Sequence, residues 1–122
     1  MDLMHWNWWL NGGDGFTPST EYQAVLTWAE ANGAIAPLDT WDKVQEDILV
    51  RAMVSSGLFA IADRIHNTQT NGDKNFALIN IKNPGTGNLS FPAVEPEWQY
   101  GSGFRGNGTT SYLKTNFIPL TD

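Results

Sequence analysis

A chain of 122 residues with 41% apolar content fits one domain, or a small domain plus part of another, and allows a real core. The absence of cysteine removes disulfides, thiolate metal sites, Fe–S clusters and cysteine nucleophiles together. With 13 acidic against 7 basic residues the net charge is −6, and the scattered Lys and Arg form no phosphate-facing patch, so no nucleic-acid partner is expected.

In chain order, residues 1–16 come first: His5-Trp6-Asn7-Trp8-Trp9-Leu10, then Asn11-Gly12-Gly13-Asp14-Gly15. The start lacks the basic region and apolar core of a signal peptide, and no stretch of the chain reaches the roughly 20 apolar residues of a membrane helix. Neither secretion nor a membrane partner is expected. The backbone entropy of Gly12, Gly13 and Gly15 predicts a hinge. Upstream of it, Trp6, Trp8, Trp9 and Leu10 make a candidate partner-binding segment, since Trp is favoured at interface hot spots. Trp6 and Trp8, two residues apart, share one face of an extended strand and suit strand addition to a partner. The alternative is that the segment folds back to cover the chain's own core.

Residues 17–67 predict a helical unit of two to three helices. Thr17 with Pro18 is a candidate N-cap and first-turn pair. Tyr22, Val25, Leu26 and Ala29 fall on one helical face, and Gly33 is placed to end the helix. Asp39 is a candidate N-cap for a second helix. Its apolar face would hold Trp41, Val44, Ile48 and Ala52, with Lys43, Glu46, Asp47 and Arg51 on the solvated side. Gly57 closes it, and Leu58, Ile61, Ala62 and Ile65 predict a short third helix ending near His66. Trp28 and Trp41 are expected in core or inter-helix packing.

Residues 68–122 predict a β-rich segment. The run 76–81 is strand-compatible, as is 111–117, whereas Pro84, Pro92 and Pro96 interrupt the chain between them. Two or three short strands cannot close a sandwich or barrel, so partner strands are expected from outside these residues. The fold class is therefore α+β: a small helical unit followed by a few strands, the start of an incomplete β-sandwich.

Candidate chemistry is thin. Gly101-Ser102-Gly103-Phe104-Arg105-Gly106 spells G-x-G-x-x-G, but no helix can readily follow it, so the glycines serve turns rather than a dinucleotide. His5 and His66 are expected to pack or cap, with no metal site. Glu46-Asp47 and Glu95/Glu97 are expected on solvated surface rather than as a glycosidase pair. Trp98, Tyr100 and Tyr112 are candidate sugar-stacking residues, against a turn-packing role for Trp98 and Tyr100. No catalytic residue and no cofactor is expected.

Three stretches carry a resemblance: Gly57-Leu58-Phe59, Ala77-Leu78-Ile79-Asn80, and Gly103-Phe104-Arg105-Gly106-Asn107-Gly108-Thr109-Thr110-Ser111-Tyr112-Leu113-Lys114-Thr115-Asn116. Over residues 20–122 the chain resembles phage tail-fibre and virion structural proteins. In these a helical adaptor leads into a concanavalin-like (laminin G-type) sandwich. The aromatic leader lies outside that pattern. The resemblance implies a virion localisation, other virion proteins as partners and a homo-oligomer, often a trimer. The function it implies is attachment or assembly of a tail fibre or other appendage. The alternative is a lectin-like module for host glycans, and a glycan-degrading fragment is a weaker third.

Overall fold

Helix α1, Thr20–Asn32, starts where Ser19 turns its hydroxyl onto the amide of Tyr22 at 3.2 Å, and it stops at Gly33, whose φ of 76° lets the amide of the αL residue cap Ala29. The cap is Ser19 rather than Thr17, because the Thr17 carbonyl is drawn sideways to Arg51 at 3.0 Å. A computed structural model describes residues 16–117, so residues 1–15, including the whole Trp6, Trp8, Trp9, Leu10 segment and the Gly12, Gly13, Gly15 hinge, lie outside the described residues.

Asp39 caps α2, Thr40–Ser55, by accepting from the amide of Trp41 at 2.8 Å. Two single-turn helices follow, α3 (Leu58–Ile61) and α4 (Lys74–Ala77). The only sheet among the described residues is an antiparallel pair, β1 (Glu97–Gln99) and β2 (Gly103–Arg105), with Trp98 opposite Phe104. The protein is a small mixed α+β unit.

The core joins α1 to α2, to α4 and to the segment after α4. Tyr22, Val25 and Ala29 from α1 meet Val50 of α2 and Phe76, Ile79 and Ile81, all buried. Each such large side chain withdrawn from water contributes about 1.5–3 kcal/mol. Trp28 packs on the edge of this cluster, as expected. Its indole lies so close to Gly85 that a Cβ there would sit 2.5 Å from Nε1.

Several expected elements are absent, each for a local reason. The run 76–81 is not a strand. Asp73 caps a helical turn by accepting from Phe76 at 2.8 Å and from Ile35 at 3.1 Å. Beyond it, the buried Asn80 side chain takes the place of a strand partner: its Oδ1 accepts from Ile65 at 3.0 Å and Lys82 at 3.2 Å, and its Nδ2 donates to Thr86 at 2.8 Å. The third helix stops at Ile61 rather than near His66, because Ala62 turns extended (φ −74°, ψ 137°) and the Ile65 carbonyl accepts the Ile81 amide at 2.7 Å. In 111–117 a single bridge, Ser90 with Lys114, is all that forms. Just upstream, the Asn107 side-chain oxygen gathers the amides of Thr109, Thr110 and Ser111 into a turn.

Candidate interaction surface

Helix α2 is seated the opposite way round from its apolar periodicity. Asp47, at 2% exposure, and Val50 are its buried residues, and Glu46 and Met53 are half-buried on the same side. The expectation that Glu46 and Asp47 are solvated is therefore wrong.

Asp47 fixes the entry to α1. One carboxylate accepts from the Ser19 amide at 3.1 and 3.2 Å, from the Ser19 hydroxyl at 2.5 Å, and from Arg51 Nε at 2.8 Å. Arg51 also donates to the Thr17 carbonyl, so residues 17 and 19 are both strapped along the flank of α2. Glu46 fixes two other pieces. It accepts from the Tyr22 phenol at 2.9 Å and from the hydroxyl of buried Thr70, and Thr70 in turn receives the Gly72 amide.

Burial raises the pKa of the Glu46 carboxyl, offset in part by hydrogen bonds from Thr70, Tyr22 and the Asn71 backbone. Burial, then the neighbouring Glu46 charge, holds the Tyr22 phenol protonated far above its ordinary range. These side chains anchor the fold.

Because the inner side of α2 is polar and strapped, the apolar stripe faces outward. Trp41 is 59% exposed, Ile48 and Leu49 are exposed, and Ala52 lies beside them. Trp41 is thus not a packing residue, in contrast to Trp28. Leu38, 89% exposed, precedes the helix in the chain, and Leu58 and Ile61 of α3, the latter 80% exposed, follow it. Next to Leu38, an open groove between the end of α1 and the α1–α2 connection is lined by Leu26, Ile35 and Pro37 together with Gln23, Glu30 and Lys43.

The other candidates disperse. Trp98 is half-buried, with its ring 4.7 Å from Phe104 and 6.1 Å from Tyr100. Its Nε1 is buried with no hydrogen-bond partner among the described residues. Tyr100 and Tyr112 are exposed, and the ring contacts of Trp98 do not reach Tyr112.

His66 is not at a helix end. Its Nδ1 lies 3.1 Å from the Ile79 carbonyl, and burial, with a further contribution from Arg64, lowers its pKa. Gly101 and Gly103 take positive φ around the hairpin turn between β1 and β2, so the G-x-G-x-x-G stretch opens no helix. Glu95 pairs with Lys74 at 2.6 Å on the surface, and Glu97 is exposed on β1. No cluster of three His, Asp or Glu that could hold a metal occurs among the described residues. No described helix is long and apolar enough to cross a membrane.

The outward stripe and the Glu46/Asp47 anchors escaped the sequence reading. One signal for the anchors was present: Val50 and Met53 fall on the face of Glu46 and Asp47, so that face also carries apolar residues. No protein-family model, curated protein or solved structure matches the chain.

Proposed function

We propose that this protein is a non-catalytic phage virion module that attaches or assembles a tail fibre or other appendage, working in several copies. The observation that carries the reading is the row of apolar side chains on α2, Trp41, Ile48 and Leu49, turned to solvent while Asp47 of the same helix is buried and Glu46 half-buried. An exposed apolar helix face marks a protein–protein contact, and a Trp within it is the residue type that most often anchors one. The motif in residues 103–116 supports the virion assignment, and with it the partners: other virion proteins and further copies of this chain. In this reading the β1–β2 hairpin and residues 111–117 open a sandwich whose remaining strands come from elsewhere.

The test is light scattering across a wide concentration range on the full chain and on Ile48→Lys. Self-association at high concentration that the substitution abolishes, with helix content unchanged, supports assembly through the stripe. Association indifferent to Ile48→Lys, or a chain that stays monomeric at every concentration and binds glycans on an array, overturns it.

A further inference from the structure

We propose that Asn107 is a self-modifying site: the folded turn promotes loss of its side-chain amide through attack by the Gly108 nitrogen, leaving an aspartyl or isoaspartyl linkage.

Asn followed by Gly meets the least hindrance to this ring closure, because Gly carries no Cβ beside the attacking nitrogen. The described residues hold three such pairs, Asn32-Gly33, Asn71-Gly72 and Asn107-Gly108, and a fourth, Asn11-Gly12, lies outside them. The first two are blocked. The Gly33 amide donates to the Ala29 carbonyl as the cap of α1. Gly72 is buried, its amide donates to Thr70 Oγ1 at 3.1 Å, and a Cβ there would sit 2.7 Å from the Ile35 carbonyl. Gly108 differs on each count. It is exposed, a Cβ there would meet nothing within 4 Å, and its amide donates to no group among the described residues.

The side chain under attack is already polarised. Its Oδ1 accepts from the amides of Thr109 at 2.9 Å, Thr110 at 2.8 Å and Ser111 at 3.0 Å, and its Nδ2 donates to Thr110 Oγ1 at 2.8 Å. Backbone N–H dipoles converging on one carbonyl oxygen stabilise the negative charge that oxygen acquires as a nucleophile adds to its carbon.

The steps balance with water alone. Hydroxide takes the Gly108 amide proton, the nitrogen bonds to Cγ, and Nδ2 takes a proton from water and leaves as ammonia, closing a succinimide. Water then opens either ring carbonyl. One product is aspartate, whose carboxylate keeps the same amides as charge-assisted partners. The other, isoaspartate, routes the main chain through Cγ and turns the shared acceptor into a main-chain carbonyl. That releases the turn leading to buried Ser111 and to the Ser90–Lys114 bridge. Either product adds a negative charge within the 103–116 motif.

The test incubates the full chain at mildly alkaline pH, folded and in parallel in denaturing urea. Conversion at each pair is followed by peptide mass spectrometry, with isoaspartate resolved by electron-transfer fragmentation. Cleavage after Lys and Arg places Asn32, Asn71 and Asn107 on different peptides. Asn32 and Asn71 should convert about tenfold more slowly folded than unfolded, the rate equivalent of one retained hydrogen bond. Asn107 should convert at least as fast folded as unfolded. Slower conversion of Asn107 in the folded chain than in urea overturns the proposal, as does conversion of Asn32 or Asn71 that matches it in the folded chain.

Discussion

Asp47→Ala should cost this protein a large share of its stability, although the residue lies on what periodicity presents as the solvated side of α2. The substitution removes the acceptor for the Ser19 amide and hydroxyl at the start of α1, both in a site where Asp47 is 2% exposed. Hydrogen bonds to a charged partner contribute about 1.5–3 kcal/mol each, and a buried donor left without its acceptor carries the full desolvation cost. The Arg51 contact adds little, because that side chain is 54% exposed and such pairs contribute about 0–1 kcal/mol. The loss should come to about 3–5 kcal/mol, against a total of about 5–15 kcal/mol for a domain. Urea denaturation followed by far-UV circular dichroism reads it directly, as a fall in midpoint at unchanged slope. Arg51→Ala is the comparison and should cost less than Asp47→Ala, because it leaves the Ser19 bonds to Asp47 in place. If Asp47→Ala costs no more than Arg51→Ala, the Ser19 strap does not hold the helices together and the account of how α2 is seated fails.

Glu46 should give the opposite pH signature from an ordinary surface carboxylate. Its folded pKa is raised by burial, so the associated stability is present below the unfolded value of about 4.3 and is lost as pH rises through the folded value. The melting temperature of Glu46→Gln relative to wild type should therefore rise between pH 4 and pH 7; a constant or falling difference would refute the assignment. Asn80→Asp keeps the shape but turns a donor into an anionic acceptor against the Thr86 carbonyl, which now accepts from Nδ2 at 2.8 Å. A loss of about 2–4 kcal/mol is expected at neutral pH, recovered in part at pH 3, and a neutral outcome in urea denaturation would count against the buried Asn80 network.

What the sequence made legible was local. The stop at Gly33 and the cap at Asp39 depend on a residue and its immediate neighbours, and both stand where expected. So does the inward face of α1, because Tyr22, Val25 and Ala29 have no competing polar anchor on that side. The face of α2 was not legible. Its apolar periodicity is genuine, but Ser19, Tyr22 and Thr70, distant in sequence, supply donors that make the Glu46/Asp47 side the inner one. Residues 76–81 have strand-like composition and lose to side chains: Asp73 starts a helical turn, and Asn80 occupies backbone groups that a strand partner would take. For the interaction surface, Trp41, Ile48 and Ala52 were visible as a stripe, but its direction was not.

The inverted seating of α2 also relocates a thermodynamic signature. A helix of this length ordinarily withdraws its apolar stripe from water as the chain folds, and that withdrawal supplies part of the positive heat-capacity change of unfolding. Here much of the anchoring is by directional hydrogen bonds, and Trp41, Ile48, Leu49 and Leu58 remain hydrated in the described fold. The body should therefore unfold with a smaller heat-capacity change, and a flatter stability curve, than its length implies. The missing increment reappears as a negative heat-capacity change at whatever step covers the stripe.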